Sequence, residues 1–154
     1  VEYKVLSQAV FSKFFGKNKI ETCRYQGGSP YKVRKEMRNV TFSENGATAD
    51  YGFVEVRDCQ GHFCEFPALP VAIIGGMFCE LAIRLLLEKS AVAFKKVLVK
   101  QVAINAKRLV FSGEKLHFTA LLKALDEDST QVYCQAMVGE ETVADIEITL
   151  SGEK

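Results

Sequence analysis

One of the two histidines in this 154-residue chain stands where proton transfer would be useful. His62 lies in Gly61-His62-Phe63, eight residues before Pro70 and the long apolar run that Pro70 introduces. Imidazole exchanges protons near neutral pH, which suits it to general-base work. The plainer reading is a buried histidine whose ring nitrogen ties down the irregular 58–69 loop. Within the apolar run, Glu80 is the one carboxylate before Glu88. A carboxylate is costly to bury unpaired. Glu80 therefore either pairs with Arg84, four residues on and on the same helical face, or serves as a general acid with a raised pKa. Gly75-Gly76 is the third irregularity, since each glycine inside a helix costs roughly 1 kcal/mol relative to alanine. Close helix–sheet packing would explain the pair, and so would room for a bulky ligand.

Other groups are weaker candidates. Cys59, His62 and Cys64 are close in sequence, but their spacing and the lack of a second Cys/His cluster do not match a structural zinc site. Cys64 and Cys79 sit in apolar surroundings, where thiols are inert. His117 falls on the outward side of an alternating strand. Lys95, Lys96, Lys100, Lys107 and Arg108 form a modest basic cluster, and Arg34, Lys35 and Arg38 another. A solvated face explains both; docking of an acidic carrier protein or of coenzyme A phosphates is the functional alternative.

The elements that position these groups follow from periodicity. Val5, Leu6, Ala9, Val10 and Phe14 predict a short amphipathic helix over 4–15, ended by Gly16 and Asn18. Gln26 to Pro30 reads as a loop. Val40, Phe42 and residues 47–56 flank Glu44-Asn45-Gly46, a hairpin signal because Asn-Gly tolerates the positive φ of a tight turn. Residues 58–69 are irregular, and Pro70 presets φ for a helix that starts there or just after. That helix is apolar nearly all round until Arg84, Glu88 and Lys89, so it must be enclosed by protein. Four strand-like runs follow, over 97–110, 116–125, 131–138 and 142–150, joined by Ser112-Gly113-Glu114, Asp126-Glu127-Asp128 and Gly139-Glu140-Glu141. Short links favour antiparallel pairing. The expected architecture is α+β of the hotdog kind: one antiparallel sheet wrapped around one long buried helix.

Composition bounds the rest. Hydrophobic residues make up 48% and charged residues 25%, and the chain reads as one domain, 1–154. A net charge of +1 gives no general attraction to nucleic acid or to a membrane. Five cysteines (Cys23, Cys59, Cys64, Cys79, Cys134) at irregular spacing suggest a reducing cytoplasm. The opening VEYKVLSQAVFSKFFG does not read as a signal peptide. The apolar run from Pro70 to Leu87 is broken by Gly75, Gly76, Glu80 and Arg84, unlike a membrane span.

The stretch GHFCEFPALP matches Gly-His-Phe-x-x-x-Pro-x-x-Pro through Gly61, His62, Phe63, Pro67 and Pro70. It resembles the signature of the β-hydroxyacyl-[acyl carrier protein] dehydratases, members of the hotdog superfamily. Residues 110–122, VFSGEKLHFTALL, resemble the family's strand entry, so the likeness covers about residues 38–150. The resemblance implies that His62 abstracts the α-proton of a 3-hydroxyacyl thioester carried on coenzyme A or phosphopantetheine, with no further cofactor and no metal. A carboxyl on the central helix, supplied across a dimer interface, helps expel the β-hydroxyl. Amides near Val71 and Ala72 polarise the thioester carbonyl, and the acyl chain lies along the helix past Phe63, Pro70, Gly75, Gly76 and Cys79.

The chain departs from that pattern in places. The family's acid, fourteen residues after the histidine, is replaced by Gly76; Pro-Gly at the helix start becomes Pro70-Val71; and Cys64-Glu65 follow His-Phe where Pro-Gly is common. Glu80 lies one turn, about 5.4 Å, beyond position 76, outside hydrogen-bond tolerance for the same role. Either Glu80 serves a different substrate atom, or Glu65 swings in, or dehydration is lost. Three readings follow: a divergent 3-hydroxyacyl thioester dehydratase, expected first; an acyl thioesterase, with which Gly76 and Glu80 are more easily reconciled; and a non-catalytic acyl-binding subunit. Each implies a homodimer or higher assembly, with acyl carrier protein a possible partner.

Overall fold

A computed structural model describes residues 8–19, 31, 35–60, 62–63, 65–126 and 129–153. The predicted first helix is α1, Gln8–Phe15, closed by a 3-10 turn over Gly16–Asn18. Its residues 4–7, the loop at 26–30, Cys23, Arg34, Gly61, Cys64 and part of the 126–128 turn lie outside the described residues. β1 (Arg38–Phe42) and β2 (Gly46–Phe53) form the expected hairpin. Its turn differs from expectation, because neither Asn45 nor Gly46 takes a positive φ. Gly46 is required by close approach instead: a Cβ there would lie 2.7 Å from the Ala120 carbonyl oxygen on the neighbouring strand.

β3 (Lys96–Ala106), β4 (Lys115–Leu125), β5 (Thr130–Val138) and β6 (Glu141–Glu153) complete one antiparallel sheet, in the order β1-β2-β4-β5-β6-β3. β3 stops at Ala106, short of the predicted 110. There the Lys107 N–H turns to the Val143 carbonyl at 2.9 Å, and Arg108 is held by Glu114 and Glu141, each at 2.9 Å. β6 runs past the predicted 150, because Lys96 pairs with Glu153.

The long helix α3 (Val71–Lys89) lies between β2 and β3 in sequence and packs on β2 to β6. Ile74, Met77, Phe78, Leu81, Ala82, Leu85 and Leu86 form its buried face. The Phe78 ring meets Phe118 of β4 edge-on at 5.4 Å. The expectation of complete enclosure is corrected. Val71, Ala72, Gly76, Arg84 and Leu87 are exposed, so the chain covers one side of the helix only. The uncovered side adjoins β3, an edge strand whose Val99, Val102 and Ile104 are each more than two-fifths exposed.

On the outer face of the sheet, His117 Nδ1 lies 2.7 Å from Asp50 Oδ1, and Asn39 donates to Asp50 Oδ2 at 2.9 Å. The hydrogen bond from Asn39, then that from His117, holds the Asp50 carboxyl below its ordinary 3.8. A depressed carboxyl contributes stability above its unfolded pKa and loses it as pH falls through the folded value. Asp50→Asn is therefore expected to cost a few tenths of a kcal/mol at pH 7, the difference closing in denaturant titrations as the pH is taken below the ordinary 3.8. Gly46→Ala should cost more, about 1–3 kcal/mol by the same measurement, because backbone must shift.

Candidate active site

His62 is placed by a short element not expected from the sequence. β2 ends at Phe53, not near 56, and a single helical turn α2 follows over Val56–Cys59. Its signal was present: Glu55 and Asp58 have capping-box spacing, and each side chain accepts the other's backbone N–H. Asp58 is buried, and Lys35 neutralises it at 3.2 Å while also reaching the Phe53 carbonyl and lying 4.5 Å above the Tyr51 ring. Burial, and then Asp58, push the Tyr51 hydroxyl pKa upward.

From α2 the chain enters the loop that carries His62. The His62 N–H donates to the Cys59 carbonyl at 2.9 Å, and the Ala68 N–H donates to the His62 carbonyl at 3.0 Å. The ring closes the clamp, with Nδ1 3.1 Å from the Ala68 carbonyl oxygen. A carbonyl only accepts, so Nδ1 carries a hydrogen, and in the neutral tautomer the lone pair is on Nε2. The Phe63 ring packs on the imidazole with centroids 4.4 Å apart.

This loop is strained. Gln60, Phe63 and Glu65 have φ of 35°, 63° and 67°, a left-handed conformation that favours glycine. Gln60 Oε1 is buried without a hydrogen-bond partner. Strain of this kind persists only where the surroundings enforce it. Here Leu69 N–H donates to the Val110 carbonyl at 2.7 Å and Ser112 N–H to the Pro67 carbonyl at 2.9 Å. Phe66, Ala68 and Phe111 form a small core with Phe15, Phe63 and Leu109, and Lys19 reaches Glu65 at 3.6 Å. The Ser112-Gly113-Glu114 turn is built as expected, with Gly113 at φ 89°. The Glu114 carboxylate accepts from Phe111 N–H at 2.8 Å and from Arg108 at 2.9 Å.

Pro70 is the N-cap of α3, at φ −58°, and no side chain caps the helix. The Ile73 N–H turns to the Pro70 carbonyl at 2.9 Å. The amides of Val71 and Ala72 belong to the first turn, which lacks intrahelical acceptors, and both residues are exposed. They offer N–H dipoles to a carbonyl oxygen that develops negative charge.

The remaining predicted residues lie along the uncovered side of α3. Neither glycine is demanded by packing against the described residues. A Cβ at Gly76 would meet nothing within 4 Å, and one at Gly75 would meet Ile104 Cδ1 at an ordinary 3.6 Å. Cys79 is half-buried, and burial raises its thiol pKa. Burial, and then Cys79, push the Cys134 thiol up to about 12. Glu80 is ion-paired with Arg84 at 2.6 Å. It stands nine residues beyond Val71, about 13 Å along the helix axis. His62 is bonded to Ala68, before that helix starts, so within one chain His62 and Glu80 do not share a proton. Glu65 engages Lys19 and stays with its own loop. Among the described residues no three potential metal ligands are grouped, and no helix is long and apolar enough to cross a membrane.

No protein-family model matches the chain, and no curated protein matches it, so the dehydratase resemblance rests on the motif. Solved structures do match. The Escherichia coli PaaI protein from the phenylacetic acid degradation operon superposes with a TM-score of 0.63 at 13% identity, over 75% of this chain and 79% of that one. A candidate thioesterase from Ralstonia eutropha JMP134, a phenylacetic acid degradation-related protein, gives 0.60 at 14% identity, over 75% and 83%. A candidate thioesterase from Shewanella oneidensis gives 0.60 at 8% identity, over 74% and 80%. These likenesses are of fold, and the fold is the hotdog: an antiparallel sheet curved around one long helix.

Because none of the described residues fills the space at Gly76, Gly76→Ala should leave stability unchanged or raise it by up to about 1 kcal/mol. Urea unfolding checks this. A clear loss would mean that the Cβ meets atoms from outside the chain.

Proposed function

We propose that the protein is an acyl-thioester hydrolase acting on thioesters of coenzyme A or of a carrier protein. The observation that carries this reading is the His62 clamp: the Ala68 carbonyl, two residues before the α3 N-cap Pro70, accepts from Nδ1–H and leaves Nε2 for proton transfer. In the proposed reaction the thioester carbonyl oxygen lies against the Val71 and Ala72 amides, and Nε2 takes a proton from the attacking water. Dehydration was the first expectation and is the less favoured reading. It needs a carboxyl that donates a proton to the leaving hydroxyl, whereas position 76 is glycine and Glu80 is paired with a guanidinium. The names of two structural neighbours, both candidate thioesterases, point the same way.

The site is proposed to be completed by a second copy of the chain. α3 is apolar on the side its own sheet leaves open, and β3 presents an unpaired edge flanked by Val99, Val102 and Ile104. An exposed apolar edge strand of this length is a template for pairing.

Saturated, aryl and 3-hydroxyacyl thioesters should release free thiol on incubation with the protein, without loss of water from the 3-hydroxyacyl compounds by mass spectrometry. His62→Ala should lower turnover by about 10²- to 10⁴-fold. Water loss in place of thiol release would restore the dehydratase reading. Full turnover in His62→Ala would remove the histidine from either mechanism, and no turnover across the panel would leave an acyl-binding role.

A further inference from the structure

Among the described residues only Asp58 is both charged and buried, at 2% exposure. Its cation, Lys35, stands ahead of β1, two residues before Met37, which is buried in the main core. The Lys35 side chain is itself only 16% exposed. Its ammonium lies 3.2 Å from Asp58 Oδ2 and 3.9 Å from Glu55 Oε1. It also donates to the Phe53 carbonyl and sits 4.5 Å above the Tyr51 ring. One cation thus touches the end of β2 and both capping residues of α2.

Replacing a buried ion pair by well-packed apolar residues is often neutral or stabilising, so stability alone does not account for this one. Its directed contacts do. α2 has four residues, too few to persist as an isolated helix, and Val56 and Arg57 are exposed. The burial of Cys59 and the tie from Lys35 to Asp58 fix it to the fold. Asp58 Oδ2 accepts from the Glu55 N–H at 2.9 Å, so the atom that caps the turn is the atom that Lys35 holds. The other end of the turn carries the His62 loop. Gln60 N–H donates to the Val56 carbonyl at 3.2 Å, and His62 N–H donates to the Cys59 carbonyl at 2.9 Å. Between them Gln60 keeps a φ of 35°, which persists only while the backbone on both sides is fixed. Pairing of 67–69 with 110–112 fixes the far side, and α2 fixes the near side.

We infer that Lys35 is a positioning residue for His62, acting through Asp58 and α2. The ammonium fixes the turn at Asp58 Oδ2, and the turn fixes the Cys59 carbonyl. That carbonyl fixes the backbone from which the imidazole reaches the Ala68 carbonyl. The effect on turnover rests on the hydrolase reading, in which Nε2 must be held at one point for the attacking water. The effect on the ring itself does not depend on that reading. Lys35 takes no part in the making or breaking of bonds.

The test compares the full chain with Lys35→Met and with the double variant Lys35→Met/Asp58→Asn, which removes both charges and keeps a capping oxygen at position 58. The first readout is nitrogen NMR of the imidazoles at a pH where they are neutral. The second is thiol release from hexanoyl- and phenylacetyl-coenzyme A, with melting curves alongside. Wild-type His62 should carry its hydrogen on Nδ1. The double variant should recover most of the melting temperature lost in Lys35→Met, because no charge is left buried without a partner. Its His62 nitrogens should nevertheless move toward the shifts of a ring that exchanges tautomers. Its kcat should fall about tenfold with KM within about twofold. His117, whose Nδ1 faces Asp50 on the outer side of the sheet, is the internal reference and should not move. A folded double variant with the wild-type tautomer and kcat would overturn the inference and leave the hydrolase reading intact. A double variant that does not fold, or whose kcat only follows its melting temperature, would also overturn it, since the pair would then serve stability. A tautomer change in a protein that releases no thiol would keep Lys35 as the positioning residue and overturn the hydrolase reading.

Discussion

The structure depends on burying α3. Phe78, Leu81, Ala82 and Leu85 have no exposed surface, and each large apolar side chain buried in this way contributes about 1.5–3 kcal/mol. The sheet must curve to reach them, and its inward residues Leu116, Phe118, Cys134, Ile146 and Ile148 are spent on that contact. A single sheet curved in this way covers about half of a helix. The other half keeps Val71, Ala72, Gly76 and Leu87 exposed, beside the free edge of β3. The enclosure that an all-round apolar helix requires is therefore left unfinished by one chain.

The geometry of His62 follows from a second constraint, the need to turn the chain from β2 into α3 over a short distance. The connection is made through strained backbone at Gln60, Phe63 and Glu65, held at one end by the capped turn α2 and at the other by pairing between 67–69 and 110–112. Within that frame the Ala68 backbone accepts from the imidazole and donates to the His62 carbonyl, which settles the ring's orientation and its tautomer together. The same turn delivers Pro70 to the helix start, two residues after the Ala68 carbonyl that holds the His62 ring.

Much of this was legible in the residues. Alternation located β4 to β6 and Pro70 marked the start of α3, because these signals depend on local sterics and on a period that a single strand or helix imposes by itself; Asn-Gly marked the hairpin, though not through the positive φ expected of it. The Glu80–Arg84 pair was legible for the same reason, since four-residue spacing places two side chains on one helical face. The reason for Gly46 was not, because the Ala120 carbonyl that excludes its side chain comes from a strand more than seventy positions away. The end of β3 was set in part by Val143 and Glu141, again remote in sequence.

The sequence by itself determined the class of the fold and the presence of a histidine ahead of a long apolar helix. Both follow from short-range periodicity and from residue types that water either accepts or rejects. Only the tertiary structure decided that the described residues cover one side of the helix, that His62 turns Nδ1 to the Ala68 carbonyl, and that among the described residues no packing contact requires Gly76. Each of these depends on which atoms from distant segments reach the same point in space, and a linear pattern carries no record of that.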